Sequence, residues 1–362
     1  GAFLVYDTNK GEQIVVKTAL SHVSVEGAKK NLQAELDHWD FDKIRKDAYD
    51  QWNRELSTVR VNDPSLEKKT VFYTALYHSL LSQQTSQDVD GSYVGMDGKV
   101  YNFEKGDFYP SFSCWDTYRS QHPLLTIIAP DHVDDMIRSI VTKTKEYGWM
   151  PAQHFRNEFG QGMVGDHLIP VVVDAYIKGY RDFDAEFIYL AMKTKALGLP
   201  PAPFPASAGR SGILDYLKSG YAPYDKVTES VPNTLELAYN DWCIAMMAKA
   251  MGKEDDHQLF INRAFNYKKL YDSETGFFRP KKSDGSWLPE IKSNTQEIVK
   301  AGDHSYYKYF DPLLVGRRPN RHYTESNAWQ YLWSVQHDAQ GMIELFGGDD
   351  KFSSQLDRFF RM

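Results

Sequence analysis

The sequence predicts a mainly α fold, an α/α barrel preceded by the tail of a β domain. From Cys114 onward, helical patterns recur in pairs separated by short polar or Gly-containing breaks. The connections are unequal, with long ones at 199–210 and 272–321, and no fixed repeat period suits an open solenoid. The chain opens with two strand-like runs, residues 2–6 (Ala-Phe-Leu-Val-Tyr) and 13–25. Helical pairs that cannot bury their apolar faces alone must stack, and long loops over one mouth fit a closed toroid. Two or three strands make no stable sheet by themselves, so the opening runs need partners this chain does not contain. Together with a last helix that stops at Phe359-Phe360-Arg361-Met362, they read as the cut edges of a fragment of a longer protein.

After the strands, residues 26–38 and 41–57 show helical periodicity, and Asp40 is a good N-cap for the second. A third helix over about 65–85 carries the stripe Phe72, Leu76, Leu80 and Leu81. Asp90-Gly91 and Asp97-Gly98 punctuate a short hairpin. Further helices are expected near 114–128, 131–147, 165–180, 184–198, 211–219, 233–251, 255–271, 324–335, 337–347 and 350–361. The organisation is then 1–25 as terminal strands, 26–63 as linker helices and 64–362 as the barrel, truncated at its C-terminal end.

Composition narrows the function. The chain is 42% apolar and 14% aromatic, with 23 Tyr, 20 Phe and 8 Trp, at a formal net charge of −7. Aromatic excess without basic excess points away from nucleic acid and suits neutral sugars. No apolar run approaches the roughly 18 residues of a membrane span. Cys114 and Cys243 are too few for a disulfide scaffold and lack metal-ligand spacing, so buried free thiols are expected.

Three constellations carry candidate chemistry. The stretch from His322 to Asp338 packs Glu325, Asn327, Trp329, Trp333 and the pair His337-Asp338 into a helical pattern after a Gly-, Pro- and Arg-rich loop at 315–320. Carbohydrate enzymes need that mixture: indole faces for sugar C–H surfaces, amides and carboxylates for hydroxyls, and an acid for the leaving oxygen. Thr324 is the expected N-cap, placing Glu325 in the first helical turn at the barrel mouth. An ordinary amphipathic helix with buried tryptophans reads equally well. The second constellation, Ser111 to Arg119, sets Trp115 beside Asp116 as stacking face and hydroxyl acceptor. Alternatively, Ser113 or Asp116 caps a helix, Trp115 is buried and Asp116 pairs with Arg119. The third runs from Pro151 to His167, where polar residues converge before an apolar helix. Its Gly160-x-Gly162-x-x-Gly165 spacing follows no predicted strand and makes a weak phosphate loop. There is no His-Glu-x-x-His and no Gly-x-Ser-x-Gly; Asp134-Asp135 is a solvated helix start rather than a diphosphate site.

The chain resembles glycoside hydrolase family 92, the bacterial exo-acting α-mannosidases, from end to end. The resemblance is carried by Ser24-Val25-Glu26-Gly27-Ala28-Lys29-Lys30-Asn31-Leu32, Phe72 to His78, Asp88-Val89-Asp90-Gly91, Trp115-Asp116-Thr117-Tyr118-Arg119 and Gly165-Asp166-His167. Thr234 to Ala245 and Tyr323 to Gln330 complete it. It implies an (α/α)6 barrel, incomplete here, preceded by the last strands of an N-terminal β-sandwich. It further implies calcium-dependent, inverting hydrolysis of terminal α-linked mannose on glycans such as N-glycans or mannans, in the periplasm or outside the cell. Glu325 would be the general acid, its pKa raised by an aromatic setting from Trp329 and Trp333. Pocket roles follow for Trp115, Asp116, Asp166, Trp329, His337 and Asp338, the last two reading equally well as helix capping or core pairing. The family's base and most calcium ligands lie beyond residue 362, so the fragment is expected to be inactive alone. Ser326 stands where the family usually has Gly and Gln336 where Pro is common, which tunes geometry without removing a charge. Rival readings are a non-catalytic glycan-binding relative and an (α/α)6 hydrolase of another sugar specificity.

Overall fold

The computed structural model describes residues 3–81, 84–155, 158–160, 163–292, 295–302, 304–316 and 321–361. The chain divides into two compact units, Gly1–Tyr109 and Pro110–Met362.

In the first unit, α1 (Val25–Glu35) begins where the Ser24 hydroxyl accepts the Gly27 N–H, and α2 (Phe41–Leu56) where Asp40 accepts that of Lys43. Helix α3 (Leu66–Leu81) packs on α2, and only Leu76 of its predicted stripe is buried. Strands β1 (Ser92–Val94) and β2 (Val100–Asn102) form the expected hairpin, with Tyr93 stacked 3.9 Å from Phe108. Two of the sequence motifs meet here. Asp88 accepts from Ser21 and Asn31, Asn31 Oδ1 accepts the Val89 N–H, and Lys30 pairs with Asp90 at 2.7 Å. Gly27 sits so close that an added Cβ would lie 2.1 Å from Asp88 Oδ2.

The opening runs differ from expectation. Residues 3–24 form no strand, and Phe3, Leu4, Val5, Ile14, Val15, Val16 and Leu20 are exposed. A strand exists through its ladder, and no described segment pairs with these runs.

The second unit is helical. Helices α4 (Cys114–Thr117) and α5 (Gln121–Ile128) replace the expected single helix over 114–128, and α6 (Pro130–Tyr147) is its expected neighbour. Pro130 starts α6 and Gly148, at φ +79°, ends it. After a hairpin of β3 (Gln153–Phe155) and β4 (Glu158–Gly160) come α7 (Leu168–Ile177), α8 (Ala185–Leu197), α9 (Ile213–Ser219), α10 (Ser230–Ala250) and α11 (Glu254–Ala264). Consecutive helices stack in line: α6 against α5, α7 and α8, and α10 against α7, α8 and α11. This is the paired-helix layering that the periodicity implied.

The long 272–321 connection carries two small hairpins, β5 (Tyr271–Asp272) with β6 (Phe277–Phe278) and β7 (Ile298–Ala301) with β8 (His304–Tyr307). It leads to α12 (Ala328–Tyr331), α13 (Ala339–Phe346) and α14 (Asp349–Phe359). Tyr267, Phe278, Leu288, Phe310, Tyr323, Trp329, Leu332 and Met342 share one buried cluster beneath them.

Two expectations for 324–335 are corrected. Only Ala328–Tyr331 is helical, and the cap is Asn327, whose side chain accepts from the Gln330 N–H at 3.2 Å. Thr324 instead donates its hydroxyl to Glu229. Glu325 has φ +52°, a left-handed backbone that no helical turn can include.

Candidate functional site

Helix α10 organises the interior of the helical unit. It buries Glu236, Asn240 and Asp241 among Leu235, Leu237, Ala238, Cys243 and Ile244. Carboxylates so placed must find partners or give up their charge.

Asp241 finds them. Its Oδ1 accepts from Arg210 Nη1 at 2.7 Å, while Oδ2 lies 2.8 Å from Arg263 Nε and accepts from the Tyr216 hydroxyl at 3.2 Å. Arg210 also reaches Asp166 Oδ2 at 2.6 Å, and Lys195 Nζ is 2.8 Å from Asp166 Oδ1. Asn240 Oδ1 accepts the Asp166 N–H at 2.8 Å, tying this network back to α10. Burial works to raise the Asp166 carboxyl, but Lys195 and Arg210 overcome it and hold the group below the usual carboxylate range. Two buried carboxylates are thus faced by three cations.

Glu236 is less well served. Its Oε1 is 3.5 Å from Arg119 Nη2 and its Oε2 is 3.4 Å from His167 Nε2, both longer than a good charge-assisted bond. Arg119 is 43% exposed at its side chain, so water screens the one full charge facing the carboxylate. Burial therefore pushes Glu236 up to about 7, against the pull of Arg119. His167, wholly buried and stacked 4.1 Å from the Tyr118 ring, is pushed down to about 3 by burial, with Arg119 adding to the effect. The Tyr118 hydroxyl accepts from Gln336 at 3.2 Å, and the Tyr239 ring lies 5.7 Å away. Gly165, at φ +84°, lets the chain pass over this pair: a Cβ there would sit 2.5 Å from His167 Nε2 and 3.1 Å from Glu236 Cβ. That close approach, rather than phosphate binding, is the use found for this glycine.

A polar pocket of about 150 Å³ opens beside these groups, lined among others by Gly165, Asp166, Arg210, Glu229 and Asn233. Glu229 connects it to the segment bearing Glu325. The Glu229 carboxylate pairs with Arg321 and accepts from Thr324 at 2.8 Å, and its N–H donates to the Arg321 carbonyl at 3.0 Å. Residues 321–324 are buried, whereas Glu325 is exposed.

The sequence-selected residues scatter over several roles. Trp115 is half-buried and Asp116 exposed on α4, where Ser113 is the cap residue but makes no side-chain cap bond. Arg119, read as a partner for Asp116, turns to Glu236 and lies over the rings of Tyr118 and Trp115. Asp166 lines the pocket with both oxygens engaged. Trp329 is core, edge-on to Phe277 at 4.9 Å, and Trp333 packs on Phe346, Phe352 and Phe359. Both indoles are thus packed against other aromatic rings, drawn there by their apolar area. His337 bonds the Ala264 carbonyl at 2.9 Å, and Asp338 caps α13 through the Gly341 N–H while accepting from Tyr267 at 2.6 Å. Capping and core pairing, one of the two readings held open for that pair, describes both. Arg156, Asn157, Gln161, Gly162 and 317–320 lie outside the described residues.

Sequence reasoning did not single out Glu236, Arg210, Lys195 or Glu229. A signal existed for the first: a carboxylate flanked by Leu235 and Leu237 in a long apolar helix is a buried charge in the making. No group of three or more His, Cys, Asp or Glu suited to a metal ion occurs among the described residues. The carboxylates that do converge are faced by arginine or lysine, the opposite of a calcium cage. No helix of the described residues is long and apolar enough to cross a membrane.

Comparison with known proteins places this geometry. A family GH92 α-mannosidase from Bacteroides thetaiotaomicron superimposes with a TM-score of 0.79 at 33% identity, over 93% of this chain and 41% of that one. A family GH92 inverting mannosidase from Bacteroides thetaiotaomicron VPI-5482 gives 0.80, also at 33% identity, over 93% and 42%. An uncharacterized secreted glycosidase of Arthroderma benhamiae is 26% identical across 99% of this chain and 43% of its own length. The chain therefore spans about two-fifths of these relatives. The mainly α class with an (α/α)6 barrel, expected from the sequence, agrees with the match to the two mannosidases. The catalytic-domain model of glycosyl hydrolase family 92 matches residues 27–362, and the chain belongs to that family.

Proposed function

We propose that this chain is part of an exo-acting α-mannosidase that removes terminal α-linked mannose from glycans by an inverting mechanism, outside the cytoplasm. The observation that carries the reading is the presentation of Glu325. It is an exposed carboxyl held at φ +52° on a buried, hydrogen-bonded base, in a chain one-third identical to two mannosidases. Left-handed backbone at a non-glycine residue costs on the order of 1–3 kcal/mol and persists where surrounding structure enforces it, often at a functional site.

In this reading Glu325 gives its proton to the departing glycosidic oxygen. A second carboxylate, about 6.5–9.5 Å from the first, takes a proton from water attacking the opposite face of the sugar. That base and the calcium ligands would come from the part of the relatives' length that this chain does not span. Calcium, when bound, would supply a Lewis-acid grip on sugar hydroxyls. The carboxylates that converge among the described residues are faced by arginine or lysine and do not fit it. Trp115 and Asp116, half-buried and exposed on α4, are free to meet a sugar in the complete protein.

The experiment is mannose release from α-linked mannobiose by the complete protein and by Glu325→Gln, alongside an aryl mannoside with an activated leaving group. Loss of general acid catalysis is worth on the order of 10²–10⁴ on the poor leaving group and much less on the activated one. Equal losses on both would reject the acid role. Absence of release by the unmutated protein from any mannoside would favour the glycan-binding reading.

A further inference from the structure

We propose that Glu229 is the positioning residue for the Glu325 loop, a role that rests on reading Glu325 as the acid. Two non-glycine residues have positive φ among those described, Glu229 at +55° and Glu325 at +52°, and the carboxylate of the first holds the residue just before the second. Glu229 occupies the N-cap position of α10, but its side chain makes no cap bond to the helix. The Asn233 amide ties the turn before the helix by donating to the carbonyls of Thr228 and Glu229 at 3.1 and 3.0 Å.

The freed Glu229 carboxylate turns to the loop instead. It pairs with the buried Arg321 guanidinium and accepts from the buried Thr324 hydroxyl at 2.8 Å, while the Glu229 N–H holds the Arg321 carbonyl at 3.0 Å. Three contacts thus fix the loop to the start of the longest helix in the unit, ending one residue before Glu325. On the far side, Asn327 fixes the loop to α12. Glu325 is left as the exposed crest between two anchors. Releasing the first anchor lets residue 325 relax to ordinary backbone, since L side chains disfavour the left-handed region, and that swings its carboxyl away.

Glu229→Ala removes both side-chain contacts, and Thr324→Ala removes one with little risk to folding. In the complete protein, Glu229→Ala should lower kcat/KM on a poor-leaving-group mannoside on the order of 10²-fold, the scale of a 1 Å misplacement. The loss on an activated aryl mannoside should be several-fold smaller, and KM should change little. Thr324→Ala should show the same pattern at reduced size, and Glu229→Gln, which keeps an acceptor for Thr324, should recover part of it. In a Glu325→Gln background, Glu229→Ala should add no further leaving-group dependence. Equal losses on both substrates in Glu229→Ala and Thr324→Ala, with Glu325→Gln still selective, would overturn the positioning role and leave the acid role standing. A Glu325→Gln variant without leaving-group selectivity would remove the acid role itself.

Discussion

Glu236 and Asp241 sit five residues apart on the same helix, both buried, and the protein treats them oppositely. Asp241 meets two guanidiniums and a phenol at 2.7–3.2 Å. Glu236 meets one half-exposed guanidinium at 3.5 Å and a neutral imidazole at 3.4 Å. The first arrangement fixes helices α9, α10 and α11 in register. The second leaves a carboxyl pushed up to about 7, able to gain or lose its proton near neutrality. Burial alone therefore does not decide what a carboxylate does; the count and closeness of facing cations do.

The comparison breaks most visibly at Arg210, which serves both Asp166 and Asp241. Arg210→Met keeps apolar volume but strands two buried carboxylates, and should destabilise by on the order of 3–5 kcal/mol in chemical unfolding. A loss below about 1 kcal/mol would mean that Lys195 and Arg263 suffice.

Glu236→Gln should act the other way and with pH. The folded carboxyl titrates near 7 and the unfolded one near 4.5. Between these values the folded state holds the proton and the unfolded state has lost it, so this group's contribution to stability falls as pH rises. The accumulated loss is on the order of 3 kcal/mol, and Glu236→Gln should remove it, gaining on the unmutated protein from pH 4.5 to 7. His167 works with opposite sign. Its folded value near 3 lies below the unfolded 6.5, so its contribution rises across that interval. The unmutated protein should then be nearly flat in this window as far as these two groups decide, and the variant should climb. The facing groups are Arg119, His167, Tyr118, Tyr239 and Tyr331. A variant parallel to the unmutated protein at every pH would show that Glu236 is not held neutral.

The smallest effect is expected at Tyr216→Phe, which removes one of three partners from Asp241. About 1 kcal/mol should be lost, readable as a shift in the unfolding midpoint. A much larger loss would make the phenol, and not the arginines, the main support.

Much of the fold was legible because it follows from local chemistry. Asp40 capped its helix as read, Asp97-Gly98 turned its hairpin, and the apolar periodicity of 131–147 and 184–198 gave α6 and α8 within a residue or two. The opening strands failed because β-propensity is realised only by a partner. The 324–335 helix starts late because Glu325, left-handed in a way periodicity does not show, cannot belong to its first turn. At the site, Asp166 was found but its partners were not, since Lys195 and Arg210 are distant in sequence and look like any surface cation. The 322–338 stretch looked like a sugar platform by residue type, yet Trp329, Trp333, His337 and Asp338 pack or cap.

The sequence by itself determined the helical pairs, the Asp40 cap, the family and the residue proposed to carry the proton, because these depend on neighbouring residues or on short motifs. Tertiary structure alone decided which carboxylates are neutralised, which one is left near neutrality, and how Glu325 is presented. Those outcomes depend on Coulomb and desolvation energies between groups tens to hundreds of residues apart. Their magnitude is set by distances of a few ångström that only the packed chain fixes.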